Sequence, residues 1–320
     1  MLVIIIVSWN VRELLQACLQ SLLHFPANTL QQEIIVVDNA SDDGSAEMVR
    51  DEFPSVHLIA NATNKGFTGG NNDGLRLADT LIASEASQTS DATHQFLFLL
   101  NPDTEVKPNA LDTLSGYAIA HPTVGLIGPR LRYGDGSLQS SRRRFPTLLT
   151  ALFESTWLQR YGPRRALHQF YMQDQADDET CDVDWVVGAA MFVRYAAYQQ
   201  IGPLDEVSFF MYSEETDWCK RMKDASWRIM YLPQAEVVHY EGRSSQQVSA
   251  QRIKLFNTSK VRYFAKHHGA WQAGLLRLWL LGQFAWQLGL EGVKWLLGSQ
   301  REMRAERIRA YLSVLRSGLR

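Results

Sequence analysis

Short apolar runs alternate with stretches of helical periodicity in the first 130 residues of the chain. Strands are predicted for the apolar runs at 2–8, 33–37, 56–60, 95–100 and 124–128. Helices are predicted for the intervening stretches near 11–24, 44–53, 70–85 and 108–120. This alternation is typical of a parallel sheet covered by helices. It predicts an α/β fold in which residues 2–8 form the first strand.

The pattern is less regular after residue 130. Residues 130–182 keep no sustained period, whereas the small polar residues at 86–94 predict a surface loop. Long helices are expected after residue 240. Between these regions the predicted elements are a strand and turn at 183–193, a helix at Glu214–Ala225 and two short strands at 227–240 around Pro233. We therefore expect a mostly parallel central sheet followed by a C-terminal helical extension.

Three cysteines, Cys18, Cys181 and Cys219, form neither a C-x-x-C pair nor a metal-binding spacing. We expect them to be reduced and buried, as in a protein of a reducing compartment. The N-terminal run Met1–Val7 lacks a basic leader and is too short for a signal peptide, which agrees with its prediction as a strand. These features together predict a cytoplasmic protein.

Charge is divided unevenly along the chain. The formal net charge is −2, but residues 251–320 contain 13 Lys and Arg against 3 Asp and Glu, whereas residues 1–250 contain 19 against 31. A basic segment attracts nucleic acid or an anionic membrane surface. The other residues of the basic segment indicate which of these two partners is expected.

The apolar residues of the basic segment favour a membrane. Trp271, Trp279 and Trp286 recur at spacings of eight and seven, and four arginines follow at 301–309. Charged and amide side chains interrupt residues 271–298, so a spanning helix is not expected. The pattern predicts amphipathic helices at 271–309 on an anionic bilayer surface. The alternatives are packing on the rest of the protein and a homodimer interface; nucleic acid is not expected as a partner.

Two acidic clusters lie far apart in the sequence. Asn101-Pro102-Asp103-Thr104-Glu105 follows a buried apolar run, so its carboxylates are expected at the carboxyl edge of the sheet, where α/β proteins bind ligands. Ser213-Glu214-Glu215-Thr216-Asp217 opens a predicted helix, where the helix dipole favours negative charge. One cluster is expected to hold a cation and the other a proton, which predicts metal-assisted group transfer.

Three further motifs carry polar chemistry. Asp38 ends the second strand and suits a ribose or base, whereas Ser41 or Asp42 beside it could instead cap a helix. The stretch Asn64–Asn72 contains three glycines and Lys65, which are expected to approach a diphosphate, but it matches neither G-x-G-x-x-G nor a P-loop. The run Arg142-Arg143-Arg144 predicts either a clamp on an anion or a solvated basic face.

Seven motifs in order resemble the family 2 glycosyltransferases, in particular their rhamnosyltransferase-like branch. They span roughly residues 1–268 and are Val7-Ser8-Trp9-Asn10, the stretch Val37–Ser45, Asn64-Lys65-Gly66-Phe67, Leu100-Asn101-Pro102-Asp103, Gly188-Ala189-Ala190-Met191, Glu214-Glu215-Thr216-Asp217 and His239-Tyr240-Glu241-Gly242. The resemblance implies a GT-A fold, a nucleotide-sugar donor, a divalent cation and inversion at the anomeric carbon. It also implies a catalytic domain at 1–268, followed by an amphipathic helical extension at 269–320.

The resemblance also assigns roles to residues. It implies metal ligation of Mg²⁺ or Mn²⁺ by Asp103 and His239, although Asn101 and Pro102 depart from the family's D-x-D pattern and leave Glu105 as a candidate second carboxylate. It implies a donor pocket formed by Ser8, Asn10, Asp38, Asn39, Asn64, Lys65, Gly66, Phe67 and Asn71.

Glu215 is similar to the family's catalytic base, which is usually an aspartate. Because a base must reach its proton closely, the longer Glu215 side chain leaves Asp217 as an alternative base.

The expected function is an inverting, metal-dependent glycosyltransferase. It would move a deoxysugar such as rhamnose from a dTDP- or UDP-sugar to a cell-surface polysaccharide or lipid-linked oligosaccharide at the inner face of the membrane. One alternative is a catalytically silent nucleotide-sugar-binding scaffold. Another, cytidylyltransferase-like nucleotide transfer, requires a basic N-terminal phosphate loop, and the loop Trp9–Arg12 has too few basic residues.

Overall fold

The computed structural model describes residues 1–86, 94–240, 249–298 and 300–320, without the side chain of Ser249. Most of the loop expected at 86–94 lies outside the described residues, as do Glu241 and Gly242 of the seventh motif. The predicted division into domains at 1–268 and 269–320 stays a prediction. Contacts divide the chain into two compact units: Met1–Phe145, Gln169–Glu206 and Glu214–Ser244 form the first, and Pro146–His168, Val207–Ser213 and Ser245–Arg320 form the second.

The strands belong to the first unit. They are Leu2–Ser8 (β1), Gln32–Asp38 (β2), His57–Ala60 (β3), Phe96–Leu100 (β4), Thr104–Val106 (β5), Val124–Arg132 (β6), Leu138–Gln139 (β7), Arg142–Arg143 (β8), Cys181–Asp182 (β9), Trp185–Val186 (β10), Ala190–Arg194 (β11) and Arg228–His239 (β12).

Helices occur in both units. They are Arg12–His24 (α1), Ser45–Glu52 (α2), Gly66–Ala86 (α3), Ala110–Ala120 (α4), Leu148–Phe153 (α5), Arg164–Phe170 (α6), Tyr195–Ile201 (α7), Glu214–Asp224 (α8), Ser249–His267 (α9), Gly269–Leu296 (α10) and Arg301–Ser317 (α11), with a 3₁₀ turn at Gln159–Tyr161.

The main sheet has the strand order β3-β2-β1-β4-β11-β6-β12-β5. Strands β1 to β4 pair in parallel, as do β6 and β12, whereas β11 runs antiparallel to β4 and β6. The predicted mostly parallel sheet flanked by helices is therefore confirmed. The order reverses at β1, because β2 lies on one side of it and β4 on the other. Such a reversal opens a crevice at the carboxyl ends of the strands.

Both faces of the sheet are covered. The side chains of β1 alternate between two cores: Leu2, Ile4 and Ile6 pack with α1, α2 and α4, whereas Val3 and Ile5 pack with α3, α7 and α8. Every residue of β1 is buried, which explains its uninterrupted apolar run. The cores hold the strand ends, and therefore the crevice, in fixed positions.

Helix α3 lies unusually close to β1. A Cβ atom at Gly74 would lie 2.4 Å from Cγ2 of Ile5, and one at Gly70 would lie 2.6 Å from Cγ1 of Val7. These two glycines therefore allow close packing of the helix on the sheet. They explain part of the glycine-rich pattern that was expected to serve a diphosphate.

Two predictions about the later elements are wrong. Residues 227–240 form one strand, β12, instead of two, and its register shifts between Leu232 and Glu236. Pro233 lies in that irregularity, where its missing N–H interrupts no regular ladder. Residues 130–182 are not uniformly irregular, because they contain β7, β8, β9 and α6.

The second unit is helical around its own core. Val261, Phe264, Leu276, Leu280 and Val314 pack together from α9, α10 and α11. The long C-terminal helices expected from the sequence are therefore present. None of the helices in the described part of the chain combines the length and hydropathy needed to cross a bilayer.

Candidate active site

Ser8 and Asp38 end two neighbouring parallel strands and lie opposite each other in register. Both are buried at the crevice. Oδ1 of Asp38 accepts a hydrogen bond from the Ser41 amide at 2.9 Å, whereas Oδ2 of Asp38 and Oγ of Ser8 have no partner among the described residues. Buried polar atoms are normally paired, so these two oxygens are suited to a polar ligand.

Asn10 ties the loops that follow β1 and β2. Its backbone N–H donates to Oγ of Ser41 at 3.0 Å, and its side-chain oxygen accepts from the Asp42 amide at 2.9 Å. The alternative in which Ser41 or Asp42 caps α2 is wrong, because Gly44 is the N-cap residue and the amide of Ser45, the first helical residue, donates to Oδ1 of Asp43 at 3.0 Å. The loop shapes the crevice instead.

Amide side chains organise the segment before α3. Asn39 donates to the Gly66 carbonyl at 2.8 Å, and Asn61 donates to Asn39 at 3.1 Å and to Asp73 at 2.8 Å. Lys65 lies 2.8 Å from Asp73. Burial opposes ionisation of Asp73, but the hydrogen bonds from Lys65 and Asn61 outweigh it and lower the pKa of this carboxyl.

Two other residues of this segment bond locally. Asn64 accepts from the Gly66 amide at 2.8 Å, and Asn71 donates to the Phe67 carbonyl at 2.9 Å. The side-chain amides of this predicted donor pocket therefore mostly bond to neighbouring residues of the same segment, and Lys65 is ion-paired with Asp73. Thr68, which the motifs did not single out, is fully buried, and its Oγ1 has no partner in the described chain.

Asp103 and His239 are brought together by the pairing of β5 with β12. Nε2 of His239 lies 3.4 Å from Oδ1 of Asp103, yet this oxygen accepts no hydrogen bond from any described residue. Oε1 of Gln139 faces Nδ1 of His239 at 3.0 Å. A proton on Nδ1 leaves the lone pair of Nε2 directed toward Asp103, which is the arrangement of a histidine ligand held by an outer partner.

These two residues fit a divalent cation, because an imidazole nitrogen and a carboxylate oxygen are both metal donors. No group of three such side chains occurs within residues 1–86, 94–240, 249–298 and 300–320. Asp103 and His239 are therefore two candidate ligands, and any further ligands would come from outside this pair. Oε1 of Glu105, the candidate second carboxylate, accepts from the Tyr240 hydroxyl at 2.9 Å.

The three carboxylates of the second acidic cluster, at the start of α8, have different surroundings. Glu214 is buried; burial, and then the negative charge of Glu215, raise its pKa well above the usual value. Glu215 is half-buried. Asp217 is fully buried and accepts from Nε of Arg221 at 2.9 Å. Arg221 also donates to the carbonyls of Ile201 and Pro203, so Asp217 belongs to a packed ion-pair network.

Gly188 and Ala189 connect the predicted motifs. A Cβ atom at Gly188 would lie 3.6 Å from Cβ of Glu215 and 3.7 Å from Cζ of Phe67. The backbone N–H of Asn101 donates to the carbonyl of Ala189 at 2.9 Å. The short segment before β11 therefore brings Glu215 of α8, the start of α3 and the loop of Asp103 around one point.

The three arginines of the basic run differ. Arg142 is buried: it donates to the carbonyls of Gln175 and Ala176, contacts Asp177 at 2.6 Å and lies over the Tyr231 ring. Arg143 lies over the Tyr171 ring, and Arg144 lies 3.7 Å from Asp184. Arg142 is thus neither a solvated side chain nor available to clamp an anion.

A cavity of about 210 Å³ adjoins the Asp103–His239 pair. Gln139, which contacts His239, is part of its wall, and the carbonyl of Ser141 in the wall accepts from the Val187 amide at 2.9 Å. The other polar lining residues include Ser140, Gln173 and Gln175. The wall also contains the Arg142–Asp177 ion pair, and its hydroxyl and amide groups beside the Tyr171 ring suit a polar ligand such as a polyol.

The mostly parallel sheet flanked by helices, with its crevice at the switch point, is that of the GT-A class. A family model described as glycosyl transferase family 2 matches residues 3–196, more than half of the chain. The chain belongs to glycosyltransferase family 2. The expected family is thereby confirmed, and the protein is a glycosyltransferase.

Relatives and a solved structure agree with this assignment. The chain is 29% identical over 253 residues to an N-acetylglucosaminyl-diphospho-decaprenol L-rhamnosyltransferase of Mycobacterium tuberculosis, covering 79% of this chain and 80% of that protein. It is 23% identical over 279 residues to the rhamnosyltransferase WbbL of Escherichia coli, covering 83% and 93%. A mannosyltransferase of Pyrobaculum calidifontis, solved with GDP-Man and Mn²⁺, superimposes with a TM-score of 0.54 at 15% identity over 99% of this chain and 86% of that one. The expected GT-A fold and the likeness to rhamnosyltransferases are confirmed.

Proposed function

We propose that this glycosyltransferase moves a sugar, rhamnose in the first instance, from a nucleoside-diphosphate donor to a hydroxyl of a polysaccharide or lipid-linked oligosaccharide. The names of both relatives support rhamnose as the sugar, and the name of the Mycobacterium tuberculosis relative supports a lipid-linked acceptor. An acceptor of that kind supports a position at the inner face of the cell membrane.

The observation that carries the proposal is the junction at Gly188–Ala189. It places Glu215 beside Phe67 and links both to the loop of Asp103. An inverting transfer needs a base at the acceptor hydroxyl and positive charge at the leaving diphosphate. We assign the base to the Glu215 cluster and the positive charge to a cation held by the Asp103 cluster.

In the proposed reaction, Ser8 and Asp38 bind the nucleoside through their unpartnered oxygens, and a dTDP- or UDP-sugar is the expected donor. Asp103 and His239 hold Mg²⁺ or Mn²⁺, which when bound neutralises the diphosphate. Glu215 takes the proton of the acceptor hydroxyl. The acceptor oxygen forms its bond to the anomeric carbon from the face opposite the diphosphate, which leaves with the electrons of the breaking C–O bond.

The choice of Glu215 over Asp217 is supported by their surroundings. Oδ2 of Asp217 pairs with Arg221 and the Asp217 side chain is fully buried, whereas Glu215 is only partly buried beside Gly188. A base must reach its proton within about 2.6–3.2 Å, so it must face the substrate. Glu215 is the better candidate because it lies beside Gly188 and Phe67 and is less buried than Asp217.

The cavity beside Gln139 is the proposed site of the acceptor sugar. Its wall contacts both His239, through Gln139, and the Gly188 segment, through Ser141 and Val187. Gln173 lines it without contributing to the Asp103–His239 pair. We expect Gln173→Ala to raise KM for the acceptor several-fold while KM for the donor stays unchanged. An unchanged acceptor KM would place the acceptor elsewhere.

The test of the reaction is nucleotide release from a panel of nucleotide sugars with Mg²⁺ or Mn²⁺. Glu215→Gln should lower the rate of transfer by about 10²–10⁴-fold, which is the usual contribution of general-base catalysis. Its donor affinity, measured by calorimetry, should stay within a few-fold of wild type. Glu47→Gln, the same change on the exposed face of α2, is the matched control. Full activity of Glu215→Gln, or no release from any donor, would contradict the proposal.

A further inference from the structure

Helix α10 has two apolar faces, of which one is covered. Ala273, Leu276, Leu280 and Phe284 are buried against α9 and α11 in the core of the second unit. The other face is exposed: 77% of Trp271, 69% of Leu278 and 60% of Trp286 is accessible to solvent. The further exposed residues of this face are Leu275, Trp279, Leu290, Val293 and Leu296.

The exposed residues form one continuous surface. At 3.6 residues per turn, positions 271, 275, 278, 279, 286, 290, 293 and 296 fall within an arc of roughly 120°, about 39 Å long. Gly282 and Gly289 occupy the same arc between them, and a Cβ atom at either would meet nothing within 4 Å. The charged residues of α10, Arg277, Glu291 and Lys294, lie outside the arc. We call this surface the α10 face.

The charge around the α10 face favours an anionic bilayer over a second copy of the chain as its partner. Residues 251–320 contain 13 Lys and Arg against 3 Asp and Glu. Half of the Lys294 side chain and half of the Arg307 side chain are exposed, and Arg301 and Arg309 are exposed as well. A second copy would bring an equal excess of positive charge to the same surface, whereas an anionic bilayer is complementary to it.

The side chains also suit a bilayer surface. Tryptophan is enriched at the boundary between headgroups and acyl chains, where an apolar ring can lie beside a polar layer. A helix that carries tryptophan and leucine on one face, with basic residues outside it, binds in the plane of the interface. The α10 face has both properties over seven turns.

We propose that the α10 face docks onto an anionic lipid bilayer, with Trp271 and Trp286 at the level of the headgroups and the neighbouring basic residues on lipid phosphates. The inference rests on α10 and α11 and is independent of the donor, the acceptor and the catalytic residues.

The experiment is co-sedimentation of the full chain with vesicles, without donor or acceptor. Vesicles of phosphatidylcholine with phosphatidylglycerol are compared with phosphatidylcholine alone, at low and high NaCl. Leu278→Ser combined with Trp286→Ser should weaken binding to the anionic vesicles at least tenfold. Leu23→Ser combined with Ile119→Ser, two exposed apolar residues on α1 and α4 of the first unit, is the matched control and should bind as wild type does.

Circular dichroism and thermal unfolding are used to check that both variants are folded, as we expect because all four side chains are exposed. Absence of binding to anionic vesicles would overturn the proposal. So would equal binding to neutral vesicles, or a dimer in analytical ultracentrifugation that the α10 variant alone splits. Nucleotide release is measured separately, so failure of docking and failure of the transferase reaction are distinguishable.

Discussion

His239 lies in register with Thr104, the residue that follows Asp103, so pairing of β12 with β5 fixes its Nε2 atom 3.4 Å from Oδ1 of Asp103. The backbone N–H of Tyr240 also donates to the Asp103 carbonyl at 2.8 Å. Backbone pairing on either side of the two residues therefore determines their separation. The two proposed metal ligands are therefore held in position by the backbone.

We expect Asp103→Asn and His239→Gln each to weaken Mn²⁺ binding more than tenfold in the presence of a nucleoside diphosphate. Gln139→Leu should weaken it by about 10–100-fold, because it removes the group that orients His239. Calorimetric titration with Mn²⁺ measures these affinities.

Glu105→Gln is the control for this series, because its carboxylate already accepts from Tyr240. Its Mn²⁺ affinity should stay within about threefold of wild type, which is less than the loss for an outer partner of a ligand. A loss equal to that of Asp103→Asn would instead identify Glu105 as a ligand.

Asp217→Asn should act on stability rather than on the chemical step. It removes the charge that faces Arg221 in a buried position, and a hydrogen bond to a charged group contributes about 1.5–3 kcal/mol. Urea unfolding should show a loss of that size, with kcat within a few-fold of wild type where the variant is folded. A hundredfold loss of kcat at unchanged stability would make Asp217 the base.

The pH dependence of stability should change when Glu214 is replaced. Burial and the charge of Glu215 raise the pKa of Glu214, so the folded state binds a proton that the unfolded state has already released. The free energy of unfolding must therefore fall as pH rises from the ordinary glutamate pKa through the raised value. Glu214→Gln cannot ionise and should lose this part of the fall.

Thermal unfolding between pH 4 and 8 measures the effect. Wild type and Glu214→Gln should differ least at the acidic end and most at the alkaline end, where the variant is the more stable protein. Parallel curves across this range would show that Glu214 titrates normally.

A glycine-to-alanine change should have opposite effects on stability at Gly74, where α3 packs closely on β1, and at Gly116, where the added methyl group is exposed. Gly74→Ala places a methyl group against Ile5 and should cost about 1–3 kcal/mol, as overpacked cores do. Gly116→Ala, in the exposed part of α4 with nothing within 4 Å, should stabilise by about 0.5–1 kcal/mol. Denaturant unfolding of the two variants compares them. Stabilisation by Gly74→Ala would show that α3 can move away from the sheet.

The central strands could be predicted from the sequence because β1, β2 and β4 are buried on both faces and read as unbroken apolar runs. The short strands could not. Thr104–Val106 has only three residues, and Leu138–Gln139 has two; each is a strand because of a partner at the other end of a loop or in a distant part of the chain. No local pattern records such a partner.

In the site, likewise, residues in local motifs could be predicted from the sequence, whereas contacts between distant segments could not. The motifs named Asp103, His239 and Glu215, and the fold brings their segments together. Spacing could not place Gln139 beside His239, because 100 residues separate them and glutamine is common on protein surfaces. Thr68 had one available signal, a hydroxyl residue inside the glycine-rich stretch. Its buried Oγ1 became evident only with the packing of α3.

Strand β6 lies between β11 and β12, so its long neighbours in the sheet are synthesised 58 or more residues after it. At a synthesis rate of about 5–20 residues per second, these partner strands are made on the order of ten seconds after β6. The nascent chain therefore carries an incomplete sheet edge throughout that interval. Residues 96–100 of β4 and 124–132 of β6 are the segments that lack their shared partner β11 during that interval.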